Sequence, residues 1–363
     1  MIFLPFEQLK SFMENAFVKL NVKPEDAEIC SDILITSDLR GIESHGVGRL
    51  RMYVDRIHQG LIEPVANIEI VKESPTTAVV DGHHGIGMVI GKFSMNLAIE
   101  KAREYGMGSV AVRNSTHFGI DGFYPLMAAK EGMIGMSFTN ARPSVSPTFS
   151  VQPVLGTNPI AFGAPTDEEF PFLFDAATSI IQRGKVEVLH REEKPLKESW
   201  VVDNSGELMS DPDQILEDLI KGKAALLPLG GLGEELGGHK GYGLSTMVEI
   251  FSASLQSGAF LSALSGLDIS GKPTRFRVGH FFMVINVENF LPLGTFKKNI
   301  GDLLRELRSS KKAPGQERIY TAGEKEFLNE IAVRKNGVPV NENLRKDLIY
   351  VKDLLQIDGL ELI

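Results

Sequence analysis

The sequence predicts a mixed α/β protein built as two domains. Helical patterning at both ends of the chain brackets a middle stretch of short, β-branched apolar runs. The length, 363 residues, leaves room for two domains at the usual ~150 residues each. Because helices flank the strand-rich middle, the two ends are expected to pack together as one mainly helical domain, residues 1–73 with 295–363, and residues 74–294 to form the second.

The elements follow in order. Leu9, Phe12, Met13, Phe17 and Leu20 form the apolar stripe of a first helix. Pro24 opens a second, at a position where its missing N–H costs nothing, and Gly41 follows its end. A third is expected to start at Ser44, a suitable N-cap, and to run to Gly60. From Asn67 the period changes, and strands are expected over 68–71, 77–80, 109–112, 134–138, 159–162, 172–175 and 278–286. Helices are expected over 88–105, 119–130 and 242–255, and again over 295–308, 324–334 and 341–355. The charged stretch 191–197 reads as an exposed loop.

Composition removes several functions. Net charge is −9, which disfavours nonspecific binding to nucleic acid. No run approaches the ~18 apolar residues of a membrane span, and no secretory pattern opens the chain, so a cytoplasmic protein is expected. The single Cys30 cannot form an internal disulfide, and helically spaced apolar neighbours make it a small buried hydrophobe. No G-x-G-x-x-G follows a strand and opens a helix, and the P-loop, zincin and nucleophile-elbow patterns are absent. The pair His83 and His84 reads as a turn rather than a metal site.

Five segments remain. In DLRGIESHGVGRLRMY, from Asp38, a helix begun at Ser44 would place His45, Arg49 and Tyr53 along one face. Spacing alone favours a solvated polar face; the side-chain chemistry fits a pocket for a small carboxylate, which an arginine fork binds bidentately. RNSTHFGIDGFY, from Arg113, puts His117 in a loop between a strand and a helix, where α/β proteins commonly hold ligand-contacting groups and structural histidines alike. Gly156, Thr157, Asn158 and Pro159 form a turn signal. DAATSIIQRGK, from Asp175, precedes a helix whose amides suit a phosphate, with Arg183 or Lys185 adding charge. LGGLGEELGGHKGYGL, from Leu229, suits either close backbone approach to an anion beside Lys240 or a flexible surface loop.

Taken together, SHGVGRL from Ser44, STHFG from Ser115, LGTNPIAFGAP from Leu155, DAATS from Asp175 and GGHKGYGL from Gly237 resemble, in order, the malate/L-lactate dehydrogenase family that lacks a Rossmann fold. That family also includes ureidoglycolate, sulfolactate and diketogulonate dehydrogenases, and the resemblance covers nearly the whole chain. It implies a nicotinamide-binding domain with a mixed sheet of non-Rossmann topology, a helical domain from both termini, and a homodimer. It also implies transfer of a hydride between NAD, or NADP, and a small 2-hydroxy acid. The long C-terminal helical part resembles that of the family's malate dehydrogenases, which implies malate and oxaloacetate.

Carried over by position, the resemblance makes His117 and His45 catalytic, with the proton-transfer role assigned to one or the other in different members. It places Ser44, Arg49, Tyr53, Thr157 and Asn158 around the substrate. Asp175, Ala176, Ala177, Thr178, Ser179, His239, Lys240, Gly323, Glu324 and Lys325 would hold the cofactor, and no metal is implied. The sequence departs from relatives with Ser and Arg directly after the Asn of the T-N segment: Asn140 is followed by Ala141 and then Arg142. Lactate, sulfolactate, ureidoglycolate or a cyclic imine are the rival substrates, and a non-catalytic anion-binding protein is the rival class.

Overall fold

The computed structural model describes residues 2–191, 193–197 and 199–360. Strand β1 (Ile2–Leu4) leads into helix α1 (Phe6–Lys19), which buries Leu9, Phe12, Met13, Ala16 and Phe17 along one stripe. Helix α2 (Pro24–Leu39) buries Cys30 among Ile33 and Leu34.

The third helix starts later than the sequence predicts. Residues Glu43–His45 and Val47–Arg49 make two 3₁₀ turns, and α3 spans only Leu50–His58. The reason is tertiary. The buried Asp38 carboxylate accepts the Val47 N–H at 2.7 Å, and the chain folds over it so closely that a Cβ on Gly46 would lie 1.9 Å from Asp38 Oδ1. Ser44 therefore caps nothing.

Strands β2 (Glu69–Glu73) and β3 (Thr77–Asp81) are followed by α4 (Gly87–Tyr105), β4 (Met107–Ser115), α5 (Phe123–Lys130), β5 (Met133–Thr139), β6 (Ile160–Ala164) and β7 (Phe172–Ala176). Residues 119–122, expected as helix, form the turn before α5, with Gly119 at φ +83°. A lobe comes next: α6 (Arg183–Arg191), β8 (Val201–Asp203), α7 (Pro212–Lys221) and β9 (Ala224–Leu226). It closes on a core of Val186, Leu189, Val201, Ile215 and Leu226, which Val145 and Leu155 from between β5 and β6 join. In the stretch expected as an exposed loop, Glu192 lies outside the described residues, and Leu196 is buried in that core.

The chain then forms α8 (Gly238–Ser252), β10 (Val278–Asn286), α9 (Leu293–Ser309), α10 (Glu324–Asn336), β11 (Val338–Val340) and α11 (Glu342–Leu355). Helix α8 opens at Gly238 rather than at residue 242, which puts His239 and Lys240 in its first turn.

Seven strands make one sheet, in the order β2-β3-β4-β10-β5-β6-β7. Only β3 and β4 run parallel, joined through α4; every other neighbouring pair is antiparallel. This mixed sheet is unlike the parallel, doubly wound dinucleotide fold. Alternation along β4 builds both faces: Val110 and Val112 join the core shared with α4, while Ala111 points to Val248 of α8. Strand β2 pairs with β3, Glu69 opposite Asp81, and so belongs to the sheet.

The chain ends meet. Strand β1 pairs with β11, Ile2 opposite Val340 and Leu4 opposite Val338. Leu9 and Phe17 share a continuous core with Leu348 and Val351 and with the α4 side of the sheet.

Candidate active site

His117 stands in the loop between β4 and α5, where the backbone is tied on several sides. Gly87 N–H donates to Thr116 Oγ1 at 2.9 Å, the Thr116 hydroxyl donates to Gly85 O at 3.0 Å, and Tyr124 Oη donates to Phe118 O. Helix α4 starts so close to this loop that a Cβ on Gly87 would lie 2.2 Å from Thr116 O. Gly119 N–H then reaches back to His117 Nδ1 at 3.3 Å, and Tyr53 Oη lies 2.6 Å from the same nitrogen.

The 3₁₀ turns before α3 deliver the second ring. His45 stacks on His117 with centroids 5.5 Å apart and planes inclined by 24°. Ser44 Oγ is 2.8 Å from His45 Nδ1, and Arg49 Nε donates to Ser44 O. Thus Ser44, His45, Arg49, Tyr53 and His117 form one constellation. The expected common helical face does not exist for His45, which reaches the others through the Asp38 clamp instead.

Each ring keeps an edge toward solvent, and protein closes the rest. That enclosure, followed by the charge of Arg49, lowers His45 to about 4. Burial first, then His45, Arg49, Arg56 and the more distant His280, hold His117 well below the usual 6.5. Both rings are therefore neutral at pH 7 in the free protein. Arg56 and Arg142 are also pushed down, first by burial and then by neighbouring guanidinium groups: Arg142 and Arg49 act on Arg56, and Arg183 on Arg142. Sequence reasoning gave Arg56 and Arg142 no place in the site; the seven-residue step from Arg49 to Arg56, two helical turns, was the available signal.

Three other segments meet nearby. Thr178 N–H donates to Thr157 O at 2.9 Å, and Leu229 N–H to Thr178 O at 2.9 Å, so the turn at 156–159, the end of β7 and the glycine-rich stretch lie side by side. Asn158 is fully buried: Oδ1 accepts the Ala141 N–H, and Nδ2 donates to Ser245 O and Glu249 Oε1. It ties the turn to α8 and has no amide group left for a substrate, unlike Thr157, which is half-buried. Ser179 Oγ donates to Ile181 O, and Thr178 Oγ1 to the carbonyls of Thr157 and Asn158, so these hydroxyls shape backbone. His239 and Lys240 are exposed in the first turn of α8.

A cleft of about 310 Å³ joins the end of β7 to the approach to α10. Arg40, Phe174, Asp175, Tyr320, Gly323 and Lys325 line it. The Asp175 carboxylate, exposed in the cleft, accepts the Gly122 N–H at 2.7 Å; loss of part of its hydration to the surrounding protein raises it to about 6, against the opposing effects of that hydrogen bond and of Arg40. Ala176 and Ala177 continue from it, half-buried. Glu324 is turned away, accepting from Thr321 N–H and Oγ1 at 3.1 and 3.2 Å and pairing with Arg308 and Arg318. It fixes the segment that bears Gly323 and Lys325 rather than facing the cleft. Elsewhere, His83 Nε2 pairs with Glu69 and His84 Nδ1 with Phe276 O. Among the described residues, no three His, Cys, Asp or Glu side chains converge as a metal site.

The chain is similar to proteins of one kind along nearly its whole length. A family model described as malate/L-lactate dehydrogenase matches residues 4–349. Malate dehydrogenase of Pyrococcus horikoshii is 45% identical over 357 residues, 98% of this chain and 96% of that protein. L-sulfolactate dehydrogenase of Methanocaldococcus jannaschii is 38% identical, covering 94% of each chain. The crystal structure of malate dehydrogenase from Entamoeba histolytica superposes with a TM-score of 0.96 at 45% identity, covering 99% of both chains.

Proposed function

This chain belongs to the malate/L-lactate dehydrogenase family, and from that premise we propose that it interconverts malate and oxaloacetate with NAD. The observation that carries the reading is the stacked pair His45 and His117 beside Arg49, a proton carrier and a carboxylate fork in one enclosed place.

The residues of the 310 Å³ cleft fit a nicotinamide dinucleotide. Arg40 and Lys325 offer cations to phosphates, Gly323 leaves room for close approach, and Phe174 and Tyr320 offer flat walls to rings. Asp175 and Glu326 put carboxylates in the same cleft, which favours ribose hydroxyls over an extra phosphate and so NAD over NADP. Lys240 and the first-turn amides of α8 supply a further anion contact. When bound, the nicotinamide takes up or returns the hydrogen of the substrate's C2 as hydride.

Arg49 would hold the C1 carboxylate bidentately and so orient C2. His117 takes the hydroxyl proton in oxidation and returns it in reduction. A neutral imidazole is the form oxidation needs, and burial keeps it so. With Ser44 Oγ–H donating to His45 Nδ1, the proton of His45 sits on Nε2, where it can bond the substrate oxygen as negative charge grows there.

The exposed apolar side chains Leu303 and Leu307 on α9 and Ile250 on α8 support a homodimer, and the lone, buried Cys30 thiol suits a reducing cytoplasm. Turnover is tested by following nicotinamide absorbance with a panel of 2-oxo acids and cyclic imines, each with NADH and NADPH. Oxaloacetate with NADH should give the highest kcat/KM. No turnover with any 2-oxo acid would leave an anion-binding protein instead.

A further inference from the structure

Arg49 and Arg56 flank the histidine pair, Arg142 stands near Arg56 and Arg183 near Arg142, and of the four only Arg183 has a carboxylate. Arg183 pairs with Glu187 one helical turn away at 3.0 Å. Arg49 is held by a backbone carbonyl, and Arg56 lies 4.3 Å above the Phe276 ring. Arg142 has no hydrogen-bond or ion-pair partner among the described residues, although its backbone is pinned. On one side Ala141 N–H donates to Asn158 Oδ1; on the other, Ala141 O packs against Gly156, where a Cβ would come within 2.4 Å. The first turn of α6 closes the group: a Cβ on Gly184 would sit 3.2 Å from Ser44 Cβ and 3.9 Å from a terminal nitrogen of Arg49.

A chain of net charge −9 thus concentrates uncompensated positive charge at one place. Like charges so arranged are unfavourable until an anion arrives. One carboxylate on Arg49 would leave Arg142 without a counter-charge. Resting on the dehydrogenase reading above, we propose that Arg142, supported by Arg183, forms a subsite for a second anionic group at C4 of the substrate and so selects dianionic 2-oxo acids over monocarboxylates. Arg142 is rigidly based and unpaired, which is what a specificity contact requires. Arg183 opens α6 of the lobe, and Val145 and Leu155, from the segment that follows Arg142, pack into that lobe's core, so one framework holds both arginines.

The test compares kcat/KM for oxaloacetate with that for 2-oxobutanoate, which carries a methyl group in place of the second carboxylate. Wild type should prefer oxaloacetate. Arg142→Gln should narrow the ratio by about tenfold to a hundredfold, Arg142→Lys should restore part of it, and Arg183→Gln should narrow it less. NADH affinity, read by fluorescence titration, reports folding and cofactor binding in each variant. An unchanged ratio in Arg142→Gln overturns the subsite alone. Weakened NADH binding with equal losses for both oxo acids also overturns it, by assigning these arginines to the cofactor. No turnover of either acid by wild type overturns the underlying dehydrogenase reading instead.

Discussion

The Tyr53 hydroxyl faces both His117 Nδ1, at 2.6 Å, and the His117 carbonyl oxygen, at 3.2 Å. One phenol can therefore serve either neutral tautomer. It donates to Nδ1, alongside Gly119 N–H, when the ring proton is on Nε2; when Nε2 is bare, the Gly119 contact is given up and the phenol accepts from Nδ1–H while donating to the carbonyl. A histidine that takes a proton on Nε2 in one direction and releases it in the other needs this latitude. Tyr53→Phe removes it and should lower kcat about tenfold with little change in KM, by steady-state kinetics in both directions. An unaltered kcat would leave Tyr53 only a packing role.

The two histidines are separable by substitution. His117→Ala should lower kcat by about 10²- to 10⁴-fold, the span of general acid–base catalysis, while NADH still binds. His45→Ala should cost less, because a hydrogen bond is lost rather than the proton carrier. If the larger loss instead follows His45→Ala, their roles are exchanged.

Burial and neighbouring cations hold His117 below the ordinary histidine value and His45 at about 4. The base must be unprotonated to oxidise malate, so kcat/KM for malate should fall only when acid protonates a ring that resists it. The acid limb should lie below the ~6.5 at which an unperturbed histidine would place it. A limb at or above neutrality in the pH profile of kcat/KM would contradict this.

Asp38 couples the site to stability. Burial raises its carboxyl from 3.8 to about 8, although the Val47 N–H opposes the shift. The folded protein thus holds a proton that the unfolded chain releases. That contribution to stability is complete below the unfolded value and is lost as pH rises toward about 8. Between about pH 5 and about pH 9, Tm of wild type should fall further than that of Asp38→Asn, which has no such proton to lose. Equal falls in the two proteins would show that Asp38 does not carry this dependence.

Much of the fold was legible because its signals are local. The stripe of α1 and the β-branched core of β4 follow from period alone, and α7 carried an unread start signal: Asp211 caps the helix by accepting the Asp213 N–H, with Pro212 in the first turn. The start of α3 was not legible, since it depends on a carboxylate nine residues upstream and on the lack of a side chain at Gly46. Strands β1 and β11 are three residues each and find one another only across the whole chain. Within the site, His117 could be read from its strand–loop–helix setting. The convergence of Arg142 and Arg183 is tertiary and has no mark in spacing. Asn158 and Glu324 lie beside the residues that matter, yet their polar atoms already hold up backbone.

The pairing of the first strand with the last sets an order on synthesis. As the chain leaves a ribosome, α1 can pack on α2 at once, but Ile2–Leu4 has no strand partner until Val338–Val340 emerges. A copy truncated before β11 should therefore leave Ile2–Leu4 unpaired and be open to proteolysis there first.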